Sequence, residues 1–104
     1  MSAGSGTSQL ADHGQGRCSL SGSLTLESVP WLWKELETAG LLKQARSADL
    51  SGIAAADSVG LALLLAWKAQ CRREGGDLAF NAVPAKLLAL AALTDAQPLL
   101  ESPA

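Results

Sequence analysis

The sequence has few of the residues that most often carry out chemistry or hold metal ions. It contains one histidine, His13, and two cysteines, Cys18 and Cys71, that lie far apart in the chain. This separation fits none of the ligand spacings of zinc sites, and a lone histidine in a glycine-flanked turn favours a surface position. Two such cysteines are more typical of buried, reduced thiols than of a disulfide. We therefore expect no metal, no cofactor and no enzymatic activity.

The sequence also lacks an excess of charge of one sign and a long apolar run. Eight lysines and arginines stand against ten acidic residues, which gives a net charge of −2. This balance offers no basic surface for nucleic acid or for an anionic membrane. The longest apolar run, residues 59–67, has less than half of the roughly 20 residues that a membrane-spanning helix needs.

The remaining composition is that of a globular domain. A length of 104 residues with 48% hydrophobic residues fits one domain with a modest core. We place that domain at residues 9–100. Residues 1–8 are rich in serine and glycine and lack the parts of a secretory signal, so we expect a flexible lead-in there and a loose C-terminus at residues 101–104. The expected location is the cytoplasm.

Strands and helices alternate in the predicted order ββαβαβα. Apolar alternation, or position between two helices, predicts strands at residues 9–12, 17–24, 45–50 and 77–83. Helix signals predict helices that begin at Pro30, Ser58 and Ala85. Gly40 ends the first helix, or Leu41 and Leu42 extend it by one turn. The order predicts an α/β fold, in which a small mixed sheet carries helices mainly on one face.

The helix predicted to begin at Ser58 is more apolar than one sheet requires. Every residue from Val59 to Trp67 is apolar, whereas a helix on a sheet needs only one stripe. The residues that satisfy this stripe are Leu61, Leu64, Leu65 and the stem of Lys68. The apolar residues left on the opposite face, which we predict to bind another protein, are Val59, Ala62, Leu63 and Ala66.

Several residues around this helix and the preceding one have two readings that the sequence leaves open. Asp57 or Ser58 is the N-cap, and a capped helix start is also suited to docking. Gly60 allows tight packing on the sheet or close approach by a partner. Trp31 and Trp33 cannot share a helix face, so one of them is a candidate contact residue.

Five short motifs resemble those of the STAS family. They are Asp-Leu-Ser at residues 49–51, Asp-Ser-Val-Gly-Leu at 57–61, Leu-Leu-Leu at 63–65, Gly-Gly at 75–76 and Asn-Ala-Val-Pro at 81–84. They follow the family's order over residues 17–93. The runs at residues 30–33 and 60–65 are similar to the MlaB-like branch of the family, whereas Gly-Ser-Leu-Thr at residues 22–25 replaces the Gly-Glu-Leu-Asp of many other members.

This resemblance implies a STAS-type fold and a non-catalytic role. It implies a cytoplasmic subunit that binds and supports the MlaF-like ATPase of an intermembrane phospholipid-transport ABC complex, and reaches the membrane only through that complex. The alternative is an anti-sigma-factor antagonist that a partner kinase switches by phosphorylating Ser58. The predicted partner-binding residues are Asp57, Ser58, Val59, Gly60, Ala62, Leu63 and Ala66.

Overall fold

The computed structural model describes residues 8–94 and residue 100. Most of the predicted lead-in, at residues 1–7, lies outside the described residues, as does the predicted C-terminus at residues 101–104. Ser8, assigned to the lead-in by sequence, is the first residue of a strand. Leu100 is fully buried.

Four strands and four helices make up the described part of the chain. In chain order they are β1 (Ser8–Gly14), β2 (Arg17–Leu24), α1 (Val29–Thr38), α2 (Leu41–Gln44), β3 (Ser47–Ala56), α3 (Ser58–Arg73), β4 (Ala79–Asn81) and α4 (Ala85–Leu93). Gly40 has a φ of +78°, a conformation that glycine adopts without strain, and it separates α1 from α2. The two leucines that follow therefore belong to a short helix of their own.

The sheet has the strand order β1-β2-β3-β4 and is mixed, as predicted. β1 and β2 form an antiparallel hairpin, and β3 runs parallel to both β2 and β4. Side chains alternate across the sheet because successive residues of a strand point to opposite faces. Leu20 and Leu50 are buried on the face that the helices cover, whereas Asp49 and Asn81 are exposed on the other face.

Three strand predictions were wrong in length. β1, expected over residues 9–12, spans residues 8–14, so His13 lies in the strand and not in a turn. β3 was expected to end at Leu50, but it continues to Ala56. Its second half pairs with β2 through Gly22 and Leu24, with two shifts of register along the way. Backbone pairing with a long neighbouring strand thus holds residues of poor β-propensity in the sheet. β4, expected over residues 77–83, spans only three residues.

The last helix buries a narrow face. Leu87 and Ala91, four residues apart, are fully buried, and Leu90 is half-buried. Leu93, at the end of the helix, is 83% exposed. Because α4 contacts mainly α3, only the side that faces that helix is covered.

Candidate partner-binding site

The start of α3 is fixed by the carboxylate of Asp57. One of its oxygens, Oδ1, accepts hydrogen bonds from the backbone N–H groups of Val59, at 2.9 Å, and Gly60, at 3.0 Å. These are donors that a helix leaves without a helical partner, so Asp57 is the N-cap and Ser58 is the first helical residue. This settles which of the two residues caps the helix.

The second oxygen of Asp57 reaches a different part of the chain. Oδ2 accepts a hydrogen bond of 3.0 Å from the N–H of Leu26, which lies in the turn between β2 and α1. The Leu26 N–H, followed by that of Gly60, lowers the pKa of Asp57 below its ordinary value, with a smaller contribution from the Lys86 cation. One carboxylate therefore joins the start of α3 to the β2–α1 turn.

Ser58 is exposed at the first position of α3. Its hydroxyl makes no hydrogen bond to any residue in the described part of the chain. An uncovered hydroxyl at a capped helix start is available to a partner protein or to a modifying enzyme.

The buried face of α3 is wider than predicted and includes Leu63, which was expected on the partner-binding face and is only 3% exposed. This is because α3 contacts α1, α2 and α4 as well as the sheet, so the sides of the helix that face these three helices are covered in addition to the side that faces the sheet. Leu65, by contrast, was expected in the core stripe and is only half-buried. The buried residues of α3 are Gly60, Leu61, Leu63, Leu64, Trp67, Lys68 and Cys71.

The outward face of α3 is lined by small residues. Ala62 and Ala66, both predicted to lie there, are exposed, and Ala69 continues the same stripe towards the C-terminal end. Val59 is half-buried. We call Ser58, Ala62, Ala66 and Ala69 the α3 stripe. Its side chains are short, so another protein can bring its backbone close to this helix.

Gly60 serves packing within the domain. A Cβ atom at this position would lie 2.1 Å from the carbonyl oxygen of Leu24, well inside any allowed contact. The glycine thus lets α3 approach the end of β2. Of the two readings that the sequence left open, tight packing on the sheet explains this residue.

Sequence reasoning missed Leu26, which is 64% exposed in the turn beside Asp57. The apolar pattern of β2 ends at Leu24, and an isolated leucine in a turn carries no periodic signal.

The sequence predicted that either Trp31 or Trp33 is a contact residue. Trp31 is exposed at 38%, whereas Trp33 packs against the core, so Trp31 is the one available for contact.

Among the residues that the structure describes, the other candidate groups do not assemble into a metal site. Asp49 is exposed and accepts from the N–H of Ser51, which lowers its pKa, and His13 bonds the Ser19 hydroxyl at 3.0 Å. Burial, followed by the nearby Asp12, raises the pKa of the Cys18 thiol to about 12. Within residues 8–94 and 100, no three metal-ligating side chains cluster, and no helix has the length and apolarity needed to cross a bilayer.

Comparisons with known proteins agree on the fold. The family model described as "Mlab, STAS domain" matches residues 8–101. Among solved structures, the chain is similar to the anti-sigma factor antagonist SpoIIAA in its unphosphorylated form, with a TM-score of 0.67 and 16% sequence identity over 89% of this chain and 84% of that one. At this identity the likeness concerns the fold alone. A comparison with curated proteins found no match.

Proposed function

Because the chain belongs to the family of MlaB-type STAS domains, we propose that it is a non-catalytic subunit of an intermembrane phospholipid-transport ABC complex. It binds the cytoplasmic ATPase of that complex and supports its assembly and activity. It is peripheral to the inner membrane and associates with it only through this partner. The resemblance of residues 30–33 and 60–65 to the MlaB-like branch supports this role over other roles of the family.

The observation that carries the proposal is the α3 stripe. Ala62, Ala66 and Ala69 present a row of exposed methyl groups on a helix whose start is held by the Asp57 cap. Small side chains let a partner approach the helix axis closely, and a rigid helix loses little conformational entropy on binding.

The substitution Ala66→Asp tests this surface. Ala66 is exposed, so the domain should fold as before, whereas a carboxylate buried against the ATPase without a cation would cost several kcal/mol. We expect the variant to lose co-purification with the ATPase and to lose any stimulation of ATP hydrolysis. The matched control is Ala92→Asp, which places the same charge at another exposed helical alanine, on α4.

Two results would contradict the proposal in different ways. If the unmodified protein does not bind the ATPase at all, the function is wrong. If it binds and folded Ala66→Asp binds equally well, the function stands but the α3 stripe is not the contact surface. A charge at Leu63 would not serve as this test, since that side chain is buried in the core.

A second candidate function is an anti-sigma-factor antagonist regulated by phosphorylation. It is favoured by the exposed, unpartnered hydroxyl of Ser58 at the first position of α3. A kinase would transfer the γ-phosphoryl group of ATP to this oxygen and release ADP and the hydroxyl proton. Mass spectrometry after incubation with an anti-sigma-factor kinase and ATP distinguishes the two roles. Only the antagonist requires stoichiometric phosphate, and Ser58→Ala should abolish it.

A further inference from the structure

The turn between β2 and α1 is held rigidly from its inner side by Ser28. The buried Ser28 hydroxyl accepts a hydrogen bond of 2.9 Å from the N–H of Thr25 and donates one of 2.8 Å to the carbonyl of Ser23. The carbonyl of Thr25 in turn accepts from the N–H groups of Ser28 and Val29. These bonds close residues 25–28 into a compact turn at the start of α1.

Asp57 holds the same turn from its other side. Its Oδ2 accepts from the N–H of Leu26, while its Oδ1 accepts from Val59 and Gly60 in α3. The backbone of Leu26 therefore has a fixed position relative to the α3 stripe. The side chain of Leu26 nevertheless points into solvent, where it gains little of the free energy that burial would give.

An exposed leucine on an ordered backbone is the arrangement expected of an interface anchor. Anchors are apolar or aromatic side chains that fill a pocket of the partner, and prior ordering of the backbone lowers the entropy lost on binding. A polar residue would serve the turn equally well, because the hydrogen bonds that shape it involve only the backbone of Leu26.

We propose that Leu26 is an anchor of the ATPase-binding surface, that it inserts into an apolar pocket of the ATPase, and that Asp57 is the positioning residue that sets it beside the α3 stripe. This inference rests on the proposed function and extends its surface from α3 to the β2–α1 turn. The neighbouring Glu27 is exposed and forms no ion pair with any described residue. A basic residue at the rim of the partner's pocket would complement this charge.

The first test measures the dissociation constant of the purified ATPase with two variants of the turn. Leu26→Ala should weaken binding about tenfold, as truncation of an anchor does, and Leu26→Asp should weaken it further. Leu93→Ala is the matched control, because Leu93 is the more exposed leucine and lies at the far end of α4. Its binding should equal that of the unmodified protein.

The second test separates the positioning role of Asp57 from its capping role. In Asp57→Asn the side-chain oxygen still caps the amides of Val59 and Gly60, since asparagine is an equally good N-cap. Its NH₂ group then faces the Leu26 N–H and cannot accept from it. We expect the start of α3 to remain capped, faster hydrogen exchange at the Leu26 amide and weaker binding. In the Leu26→Ala background the same change should weaken binding no further.

The partner's charge is tested by Glu27→Lys, which should weaken binding, most strongly at low salt. Binding unchanged by this reversal would overturn the basic rim. If the unmodified protein binds the ATPase and folded Leu26→Asp binds equally well, the anchor is wrong while the proposed function stands. If the unmodified protein does not bind the ATPase, the proposed function fails first.

Discussion

The Cα of Gly60 lies so close to Leu24 that a Cβ atom on the glycine would lie 2.1 Å from the leucine carbonyl oxygen. The same carbonyl accepts a hydrogen bond of 3.2 Å from the N–H of Asp57. The backbone of Leu24, at the end of β2, therefore contacts the backbone at the start of α3 at both Asp57 and Gly60. Within the helix, glycine costs about 1 kcal/mol relative to alanine, and the close packing on β2 offsets this cost.

Gly60→Ala should destabilise the domain strongly. The added methyl group meets backbone atoms of Leu24, which cannot rotate away as a side chain can, so α3 has to shift from the sheet. We expect the free energy of unfolding to fall by about 3 kcal/mol or more, measured by urea denaturation. Gly76→Ala is the control, because its Cβ would meet only an ordinary contact at 3.7 Å. Equal stability of the two variants would contradict the close contact.

The capping residue and the packing face of α3 differ in how far sequence could predict them. Asp57 was a candidate cap because its short acceptor precedes an apolar run, and that signal is local. Leu63 was misplaced because helical spacing shows which residues share a face, but not how many faces the neighbouring elements cover. Here α1, α2 and α4 flank α3, and their positions depend on the whole fold.

Leu63→Ala should therefore lower the free energy of unfolding of the domain. Removing a fully enclosed leucine side chain costs about 2–5 kcal/mol, because the cavity closes only in part. The exposed Ala66→Ser should change the free energy of unfolding by less than about 0.5 kcal/mol. Urea denaturation of both variants checks this, and a loss below 1 kcal/mol for Leu63→Ala would show that the side chain is not enclosed.

Local sequence patterns could not predict the length of β3 or the exposure of Leu26, and the reason is the same for both. Residues 51–56 have low β-propensity, and only the presence of β2 alongside makes them a strand. Leu26 is exposed because Ser28 and Asp57 shape its turn, and the bond to Asp57 spans 31 positions in the chain. Contacts between distant segments decide both features.

A buried lysine at the other end of α3 gives the domain a pH-sensitive contact. Lys68 is 2% exposed and donates to the carbonyl of Leu78, while its Nζ lies 3.2 Å from Asp77 and 5.7 Å from the centre of the Phe80 ring. Burial raises the pKa of Asp77, but the Leu78 N–H, Arg72 and Lys68 together outweigh it and lower the pKa to about 2. The ionised carboxylate is thus the form that stabilises the fold.

Asp77→Asn should destabilise the domain at neutral pH by about 1–3 kcal/mol, because the enclosed ammonium group loses its charged partner. The pKa of Asp77 is lower in the folded than in the unfolded chain, so its contribution is complete above about pH 4 and is lost as the pH falls towards about 2. Urea denaturation at pH 6, 4 and 3 should therefore show the gap between the two proteins narrowing below pH 4. A gap that stays constant down to pH 3 would contradict the lowered pKa.

Phosphate or a mimic at Ser58 should break binding without unfolding the domain. A further anion near the start of α3 gains at most about 0.3–1 kcal/mol from the helix dipole, and Asp57 already occupies the amides of Val59 and Gly60. Because Ser58 is exposed, repulsion by the Asp57 carboxylate is screened by water. These two small effects oppose each other, so Ser58→Glu should change the free energy of unfolding by less than about 0.5 kcal/mol.

Binding of Ser58→Glu to the ATPase should nevertheless weaken by about tenfold or more. A charge buried against an apolar partner loses its hydration, and this costs several kcal/mol unless a cation compensates it. Ser58→Ala removes the hydroxyl without adding charge and should bind within about threefold of the unmodified protein, a difference of well under 1.4 kcal/mol. Calorimetric titration of the ATPase with both variants measures these differences. If folded Ser58→Glu binds as tightly as Ser58→Ala, then Ser58 lies outside the contact surface and its phosphorylation cannot regulate this interaction through charge.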